Sequence, residues 1–316
     1  MADLVATAWT SAGATSPMIT PSTSPVPVAE RVAAVADAGY CGLGLIADDL
    51  TVVRDTIGYP ALKDLMTNYG LTHIEIELIE RWWIRRGEPG HTYDTRELLL
   101  DAADVLSPAF IKIGSENGPA IDEPRQLVAP LRDLADEAQA HGTRVAIETM
   151  PFSAITTVPM GVEIIEAANH PAAGLVIDAW HVFRAPTTLT ELHSILKPEH
   201  IFGVELNDAA PEVIGTLFED TVERRLLCGE GSFDLHGLVT LLRDKGFDGP
   251  WGVEILSSSF RQLPVGQAVQ LAADSARMSC SSRRPASARR VTKFRGVSRA
   301  DAHARGAKAR AEAEMS

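Results

Sequence analysis

A chain of 316 residues with 45% apolar and 22% charged residues has the composition of a soluble globular protein, with one large domain or two ordinary ones. The formal net charge is −13, and the body before Arg277 carries −21 because residues 277–316 hold eleven Lys/Arg and three Asp/Glu. So acidic a body repels phosphate, which excludes a general nucleic-acid surface, and the short, broken apolar runs exclude a transmembrane helix.

The three cysteines, Cys41, Cys228 and Cys280, are widely spaced and odd in number. They therefore form neither a disulfide framework nor a CxxC metal site. The stretch MADLVATAWT at the start of the chain lacks the basic residues and apolar core of a signal peptide. We expect a cytoplasmic protein that does not bind a membrane.

Short apolar runs alternate with longer amphipathic stretches along the chain. The predicted strands, in chain order, are LVATAW, YCGLGLI, LTHIEIEL, FIKIG, RVAIE, GLVID, IFGVEL and WGVEI. Between them lie helical patterns such as ERVAAVADAG, which stops at Gly39, and RQLVAPLRDLADEAQAHG, which stops at Gly142. Further helical patterns lie near residues 60–69 and in TRELLLDAADVL, GVEIIEAANH, LTELHSIL, LHGLVTLLRDKG and PVGQAVQLAADSARM.

Eight strand–helix units predict a (β/α)8 TIM barrel over residues 1–278. The rival, a doubly wound sheet, would need a GxGxxG phosphate loop after an early strand, and the chain has none. Residues 279–316 are rich in Ala, Arg and Ser with almost no large apolar residues, so we predict a disordered basic tail. Nucleic-acid or membrane binding by this tail is the alternative.

Each of four consecutive predicted strands has an acidic residue at or near its end: Glu148, Asp178, Glu205 and Glu254. In a barrel of this kind the carboxyl ends of the strands form the active site. Alone, each acid is as well explained by a helix cap, a surface charge or a salt bridge. Together they would repel one another, and a divalent cation would turn them into a ligand set, with Mg2+ or Mn2+ favoured by oxygen ligands.

The chain resembles the sugar phosphate isomerase/epimerase family of the xylose isomerase-like TIM barrels, whose relatives include inosose isomerases and dehydratases and ketose 3-epimerases. The resemblance spans residues 4–280 and rests on VAIETMP, GLVIDAWH, FGVELNDA, RLLCGEGSFDL and GFDGPWGVEIL. It implies one divalent metal, Mn2+, Mg2+, Co2+ or Zn2+, bound at the four strand-end positions. Glu148, Asp178 and Glu254 match that pattern.

The third ligand position, His or Gln in the family, is Glu205 in this chain. This exchange adds a negative charge and favours Mg2+ or Mn2+ over Zn2+. It leaves open whether all four acids bind the metal, or whether one glutamate is protonated or bonds to the substrate.

The resemblance also implies two substrate-binding residues near the metal. His181 in DAWH would contact substrate oxygens, with capping or packing as the alternative. Arg225 in RLLCGEG would bind substrate, although Arg224 competes for the assignment and Cys228 replaces a proline of the family pattern.

Two further candidates come from the third strand and the loop after it. Glu77 lies nearest the rim and is a candidate for substrate binding, with a plain salt bridge as the alternative. Trp82 follows in ERWWIRRG and would roof a substrate pocket or pack within its loop. Lys112 and His73 are assigned structural roles.

These features predict a metal-dependent isomerase or epimerase that acts on a keto-sugar or keto-cyclitol through an enediolate, with Glu148 and Glu254 as the acid/base pair. The alternative is a lyase of the same barrel, either an inosose-type dehydratase or a deglycosidase that cleaves a C–C or C–O bond of a 3-keto glycoside. From other classes, a non-catalytic barrel subunit or binding protein stays open, and a DNA-repair endonuclease is disfavoured by the acidic body. A homo-oligomer or a partner subunit is also open.

Overall fold

Eight parallel strands close into a barrel in chain order, as the alternation of strand and helix patterns predicts. The computed structural model describes residues 2–281 of the chain. The strands are β1 (Leu4–Ala6), β2 (Gly42–Ile46), β3 (His73–Glu80), β4 (Ile111–Gly114), β5 (Val145–Glu148), β6 (Ala173–Asp178), β7 (Ile201–Leu206) and β8 (Trp251–Val253).

Helices surround the barrel and fill the loops at its carboxyl end. They are α1 (Ala8–Ser11), α2 (Val28–Asp37), α3 (Ala47–Asp55), α4 (Tyr59–Asn68), α5 (Tyr93–Leu106), α6 (Val128–Ala140), α7 (Val158–Ala168), α8 (Ala179–Arg184), α9 (Leu189–Ile195), α10 (Leu217–Glu223), α11 (Leu235–Asp244) and α12 (Val265–Cys280). Short 3-10 turns lie at Pro124–Leu127, Pro198–His200 and Phe260–Gln262. Within residues 2–281 no helix is long and apolar enough to cross a membrane.

The predicted tail begins at residue 279, and most of it lies outside the described residues. The last described helix, α12, continues to Cys280, beyond the predicted domain boundary at 278. Its alternating small and apolar residues, among them Val269, Ala272 and Ala276, are buried against the body of the barrel.

Strand register brings the predicted acids to one end of the barrel. Asp178 on β6 is paired with Glu205 on β7, and Glu205 is paired with Gly252 on β8. Glu148 is the last residue of β5, and Glu254 directly follows β8. Because parallel strands in a barrel end at the same rim, these four side chains come together at its carboxyl end.

The glycine pair of GLGLI is required by close backbone approach within the barrel. A Cβ atom at Gly44 would lie 2.6 Å from the backbone nitrogen of Ala8, and one at Gly42 would lie 2.5 Å from the carbonyl oxygen of His73. Backbone atoms cannot move aside as a flexible side chain can. A side chain at either position therefore forces neighbouring strands apart.

We predict that Gly44→Ala lowers the free energy of unfolding by roughly 1–3 kcal/mol through overpacking. Gly118→Ala is the matched control, because a Cβ there meets no atom within 4 Å, and we expect a change within about 0.5 kcal/mol. Urea denaturation followed by circular dichroism measures both. Equal stability of the two variants would contradict the assigned role of Gly44.

Candidate metal centre and active site

The four predicted acids converge at the carboxyl end of the barrel. One carboxylate oxygen from each of Glu148, Asp178, Glu205 and Glu254 lies within 4.8 Å of the others. All four side chains are buried, and Glu205 is only 1% exposed. The strand-end pattern in the sequence therefore describes a real cluster, and its burial distinguishes it from a solvated acidic surface.

The ammonium group of Lys112, on β4, lies inside this acidic cluster. Its Nζ atom is 2.6 Å from Oε1 of Glu205 and 2.6 Å from Oε2 of Glu77. The same nitrogen lies 3.5 Å from Glu254 Oε1 and 3.7 Å from Glu148 Oε2. The sequence predicts only a structural role for Lys112. The structure instead places this side chain in the site.

Arg225 supplies a second buried cation on the opposite part of the cluster. Its Nη1 donates to Oδ2 of Asp178 at 2.7 Å and to Oε2 of Glu254 at 2.9 Å. Its Nε and Nη2 donate to Thr221 Oγ1 on α10. The neighbouring Arg224 is exposed and donates to the carbonyl of Glu219, so Arg225 is the arginine of this site.

Asp178 is both a helix cap and a member of the cluster. Its Oδ1 accepts from the backbone N–H of His181, which caps α8, and its Oδ2 accepts from Nδ2 of Asn207 at 2.9 Å. The cap turns His181 toward the cluster, where its Nε2 lies 3.4 Å from Oε1 of Glu148. Asp178 is therefore both a helix cap and a residue of the cluster.

Burial and mutual repulsion shift the pKa values of the glutamates in different directions. Desolvation raises the pKa of Glu205 well above its ordinary value, and it also raises the pKa of Glu254. The same cause raises the pKa of Glu77 to about 7. Burial alone would also raise the pKa of Glu148, but the ammonium of Lys112 and the ring of His181 hold it below its usual range. The cluster thus combines a firmly ionised carboxylate with carboxylates that protonate more readily.

Asp208 secures the loop that carries Arg225 into the site. Its carboxylate accepts hydrogen bonds from the backbone N–H groups of Ala209, Gly229 and Phe233, and its own backbone pairs with Leu226. The stretch FGVELNDAAP therefore places Glu205 in the cluster and, three residues later, ties down the segment around CGEG.

A cavity opens onto the cluster and is mostly apolar above it. Its polar lining includes Glu77, Lys112, Glu148, His181, Arg225 and Glu254. Its apolar lining includes Trp9, Ile46, Leu78, Met150, Phe152, Phe218 and Leu256. A few convergent polar groups under an apolar wall are typical of a small-molecule site.

Trp82 is placed differently from the other candidates. Its indole is buried in edge-on contact with Trp83, with ring centroids 5.4 Å apart, and it is not among the residues lining this cavity. A substrate role for Trp82 stays a prediction without a supporting contact, whereas Glu77, His181 and Arg225 all line the cavity.

The sequence profile of the xylose isomerase-like TIM barrel family matches residues 32–281. The chain belongs to this family. It is 26% identical to the 3-dehydroshikimate dehydratase of Pseudomonas aeruginosa over 246 residues, which cover 75% of this chain and 37% of that protein. It is 28% identical to the inosose isomerase of Halalkalibacterium halodurans over 152 residues, which cover 48% of this chain and 52% of that protein.

The fold of this xylose isomerase-like barrel is also similar to that of a solved structure, the IOLI protein with a bound zinc atom. The TM-score is 0.72 at 19% identity, covering 88% of this chain and 98% of that one. This likeness supports the fold. The chain spans about a third to a half of the length of the two curated enzymes, so the activities of those whole proteins do not pass to it directly.

The residues of this xylose isomerase-like site fit a divalent cation. With all acids ionised, five buried carboxylates face the two permanent cations Lys112 and Arg225, which leaves three negative charges uncompensated. Within the described residues, Oε2 of Glu205 and Oδ1 of Asn207 are buried without a hydrogen-bond partner. Excess negative charge and an unpaired carboxylate oxygen are both features that a bound cation would satisfy.

Arg225→Met should destabilise the protein by about 3–5 kcal/mol, because it leaves the buried carboxylate of Asp178 without a cation and Glu254 with Lys112 alone, 3.5 Å away. Arg224→Met, one residue earlier and exposed, is the matched control and should change stability by less than about 0.5 kcal/mol. Chemical denaturation of the metal-free proteins measures the difference. Two variants of equal stability would show that Arg225 does not compensate the cluster.

Proposed function

We propose that this protein is a divalent-metal-dependent isomerase or epimerase of a keto-sugar or keto-cyclitol, acting through an enediolate. The observation that carries the proposal is the convergence of four buried carboxylates beneath a cavity that also presents His181 and Arg225. A carbonyl compound with a neighbouring hydroxyl group offers two oxygens to such a site and an acidic C–H bond between them.

Glu148, Asp178, Glu205 and Glu254 are the residues that would hold the metal, and an all-oxygen set favours Mn2+ or Mg2+, with Co2+ or Zn2+ as further candidates. When bound, a divalent cation supplies Lewis-acid stabilisation of the negative charge that develops on the substrate oxygen.

Glu148 and Glu254 are proposed as the acid/base pair. Glu148 lines the cavity beside His181, so its carboxylate is placed to take the C–H proton, while the bonding electrons pass into the enediolate. Glu254 has a raised pKa and is held by Arg225, so it suits carrying a proton to the substrate. Return of the proton to the adjacent carbon gives isomerisation, and return to the other face gives epimerisation.

His181, Arg225 and Glu77 are proposed to bind substrate oxygens at the edge of the cluster. His181 has a buried Nδ1 atom without a partner among the described residues, and its other ring nitrogen lies beside Glu148. The guanidinium of Arg225 lies between Asp178 and Glu254, where it fixes both carboxylates. Glu77 lies on β3, lines the cavity and contacts the ammonium of Lys112.

A lyase is the second candidate, favoured by the similarity to a dehydratase over 75% of this chain. Loss of a hydroxyl group from the carbon next to the enediolate would give dehydration. Cleavage of a C–C or C–O bond of a 3-keto glycoside would give deglycosylation. All of these outcomes share removal of the same kind of proton, so one exchange experiment tests them together.

We predict that the protein, supplied with Mn2+ in D2O, incorporates deuterium beside the carbonyl of at least one of three substrate classes: keto-sugars, inososes and 3-keto glycosides. Glu148→Gln and Glu254→Gln should each slow the exchange by about 100-fold or more, because neither amide can accept the proton. Mass spectrometry of the recovered substrate gives the rate.

Glu199→Gln, on the exposed surface away from the cluster, is the control and should exchange at the original rate. Exchange that is unaffected in both site variants would remove Glu148 and Glu254 from the acid/base roles. Absence of exchange in all three classes, with Mn2+ bound, would favour a non-catalytic barrel that binds a ligand or a partner subunit.

A further inference from the structure

We propose that Lys112 is a positioning residue of this site and that it forms, with Glu205, a single neutral unit at the metal position on β7. This Lys112–Glu205 pair would offer the metal one oxygen ligand without a net charge, as an uncharged side chain does. The inference rests on the proposed metal site, and it adds a residue to which the sequence pattern assigned only a structural role.

The first support is the distribution of cations around the four acids. Asp178 and Glu254 both contact Arg225, and Glu148 lies beside His181. Lys112 is farther from Glu254 and Glu148, at 3.5 and 3.7 Å. Within residues 2–281, Lys112 is the sole cationic side chain within 4.0 Å of Glu205, at 2.6 Å. Glu205 is 1% exposed, so its carboxylate is shielded from bulk water and Lys112 is the cation that offsets its charge.

The second support is the way that the two oxygens of Glu205 are used. Oε1 accepts a hydrogen bond from the ammonium of Lys112, whereas Oε2 is buried without a partner among the described residues. One oxygen is thus committed to the ammonium and the other is left for a cation. A carboxylate used in this way offers one ligand atom, as a His or Gln side chain does.

The third support is the position of Lys112 itself. It stands in the middle of β4, between Ile111 and Ile113, and its side chain crosses the barrel mouth from β4 to reach β7. Glu77 on β3 contacts the same ammonium at 2.6 Å and holds it from the other side. Lys112 is therefore fixed between two strands, and its charge acts at a defined place beside the cluster.

A charge-neutral pair makes a prediction that independent side chains do not. Glu205→Gln alone removes one of the two carboxylates that lie 2.6 Å from the Lys112 ammonium and leaves that positive charge less well offset beside the metal, so Mn2+ affinity should fall by about tenfold or more. Removing that ammonium as well, in Lys112→Met with Glu205→Gln, should bring the affinity back to within about threefold of the original. Titration calorimetry of chelator-treated protein with Mn2+ alone measures each dissociation constant.

Glu75→Gln is the matched control, because Glu75 is a buried glutamate of β3 that contacts His73 and not Lys112. It should shift the Mn2+ dissociation constant by less than about threefold. If the double variant binds Mn2+ as weakly as Glu205→Gln or more weakly, Glu205 is an independent ligand and the proposed pair is wrong.

Thermal unfolding of the metal-free proteins keeps this test separate from the proposed function. Lys112→Met should lower the melting temperature by roughly 5–10 °C, because it leaves the buried carboxyl group of Glu205 without the cation that pairs with it. Adding Glu205→Gln should recover at least half of that loss. Recovery without any Mn2+ binding would support the pair and overturn the metal proposal, whereas additive losses would overturn the pair.

Discussion

Repulsion among buried carboxylates is the constraint on which the rest of this structure depends. The barrel brings Glu148, Asp178, Glu205 and Glu254 to one small volume away from water, where like charges strongly disfavour ionisation. Lys112 and Arg225 offset part of that cost from two sides, and a bound divalent cation would offset more of it. The barrel's apolar core supplies the stability that makes such a centre tolerable.

The strands fix the acids, and the loops fix the cations and the cavity wall. Glu205 and Asp178 are aligned by β-sheet register, which leaves little freedom in the distance between them. Arg225 instead depends on loop contacts: Asp208 ties its segment to the end of β7, and Thr221 on α10 receives its guanidinium. Strands that fix the charged groups and loops that shape the cavity wall are the arrangement by which one barrel fold hosts different reactions.

The fold and the acidic cluster could be predicted from the sequence because both depend on local pattern. Each strand carries its own apolar run, and a strand-end acid is visible as soon as the strand is placed. The contacts of Lys112 could not be predicted, because a lone lysine in a buried strand does not reveal which carboxylates it meets across the barrel. The start of α10 could have been predicted from the sequence, because Thr216 and Glu219 form a capping box. This helix carries Thr221, which accepts hydrogen bonds from Arg225. Trp82 packs edge-on against Trp83, and its substrate role stays a prediction.

We propose that the four carboxylates hold a divalent cation while Lys112 remains paired with Glu205. Crystals grown with Mn2+ and measured on both sides of the manganese absorption edge test this claim most directly. We expect one anomalous peak bonded to oxygens of Glu148, Asp178, Glu205 and Glu254, with the Lys112 ammonium still hydrogen-bonded to the other oxygen of Glu205. A peak elsewhere, or a peak at the cluster with Glu205 turned away from both the metal and Lys112, would contradict it.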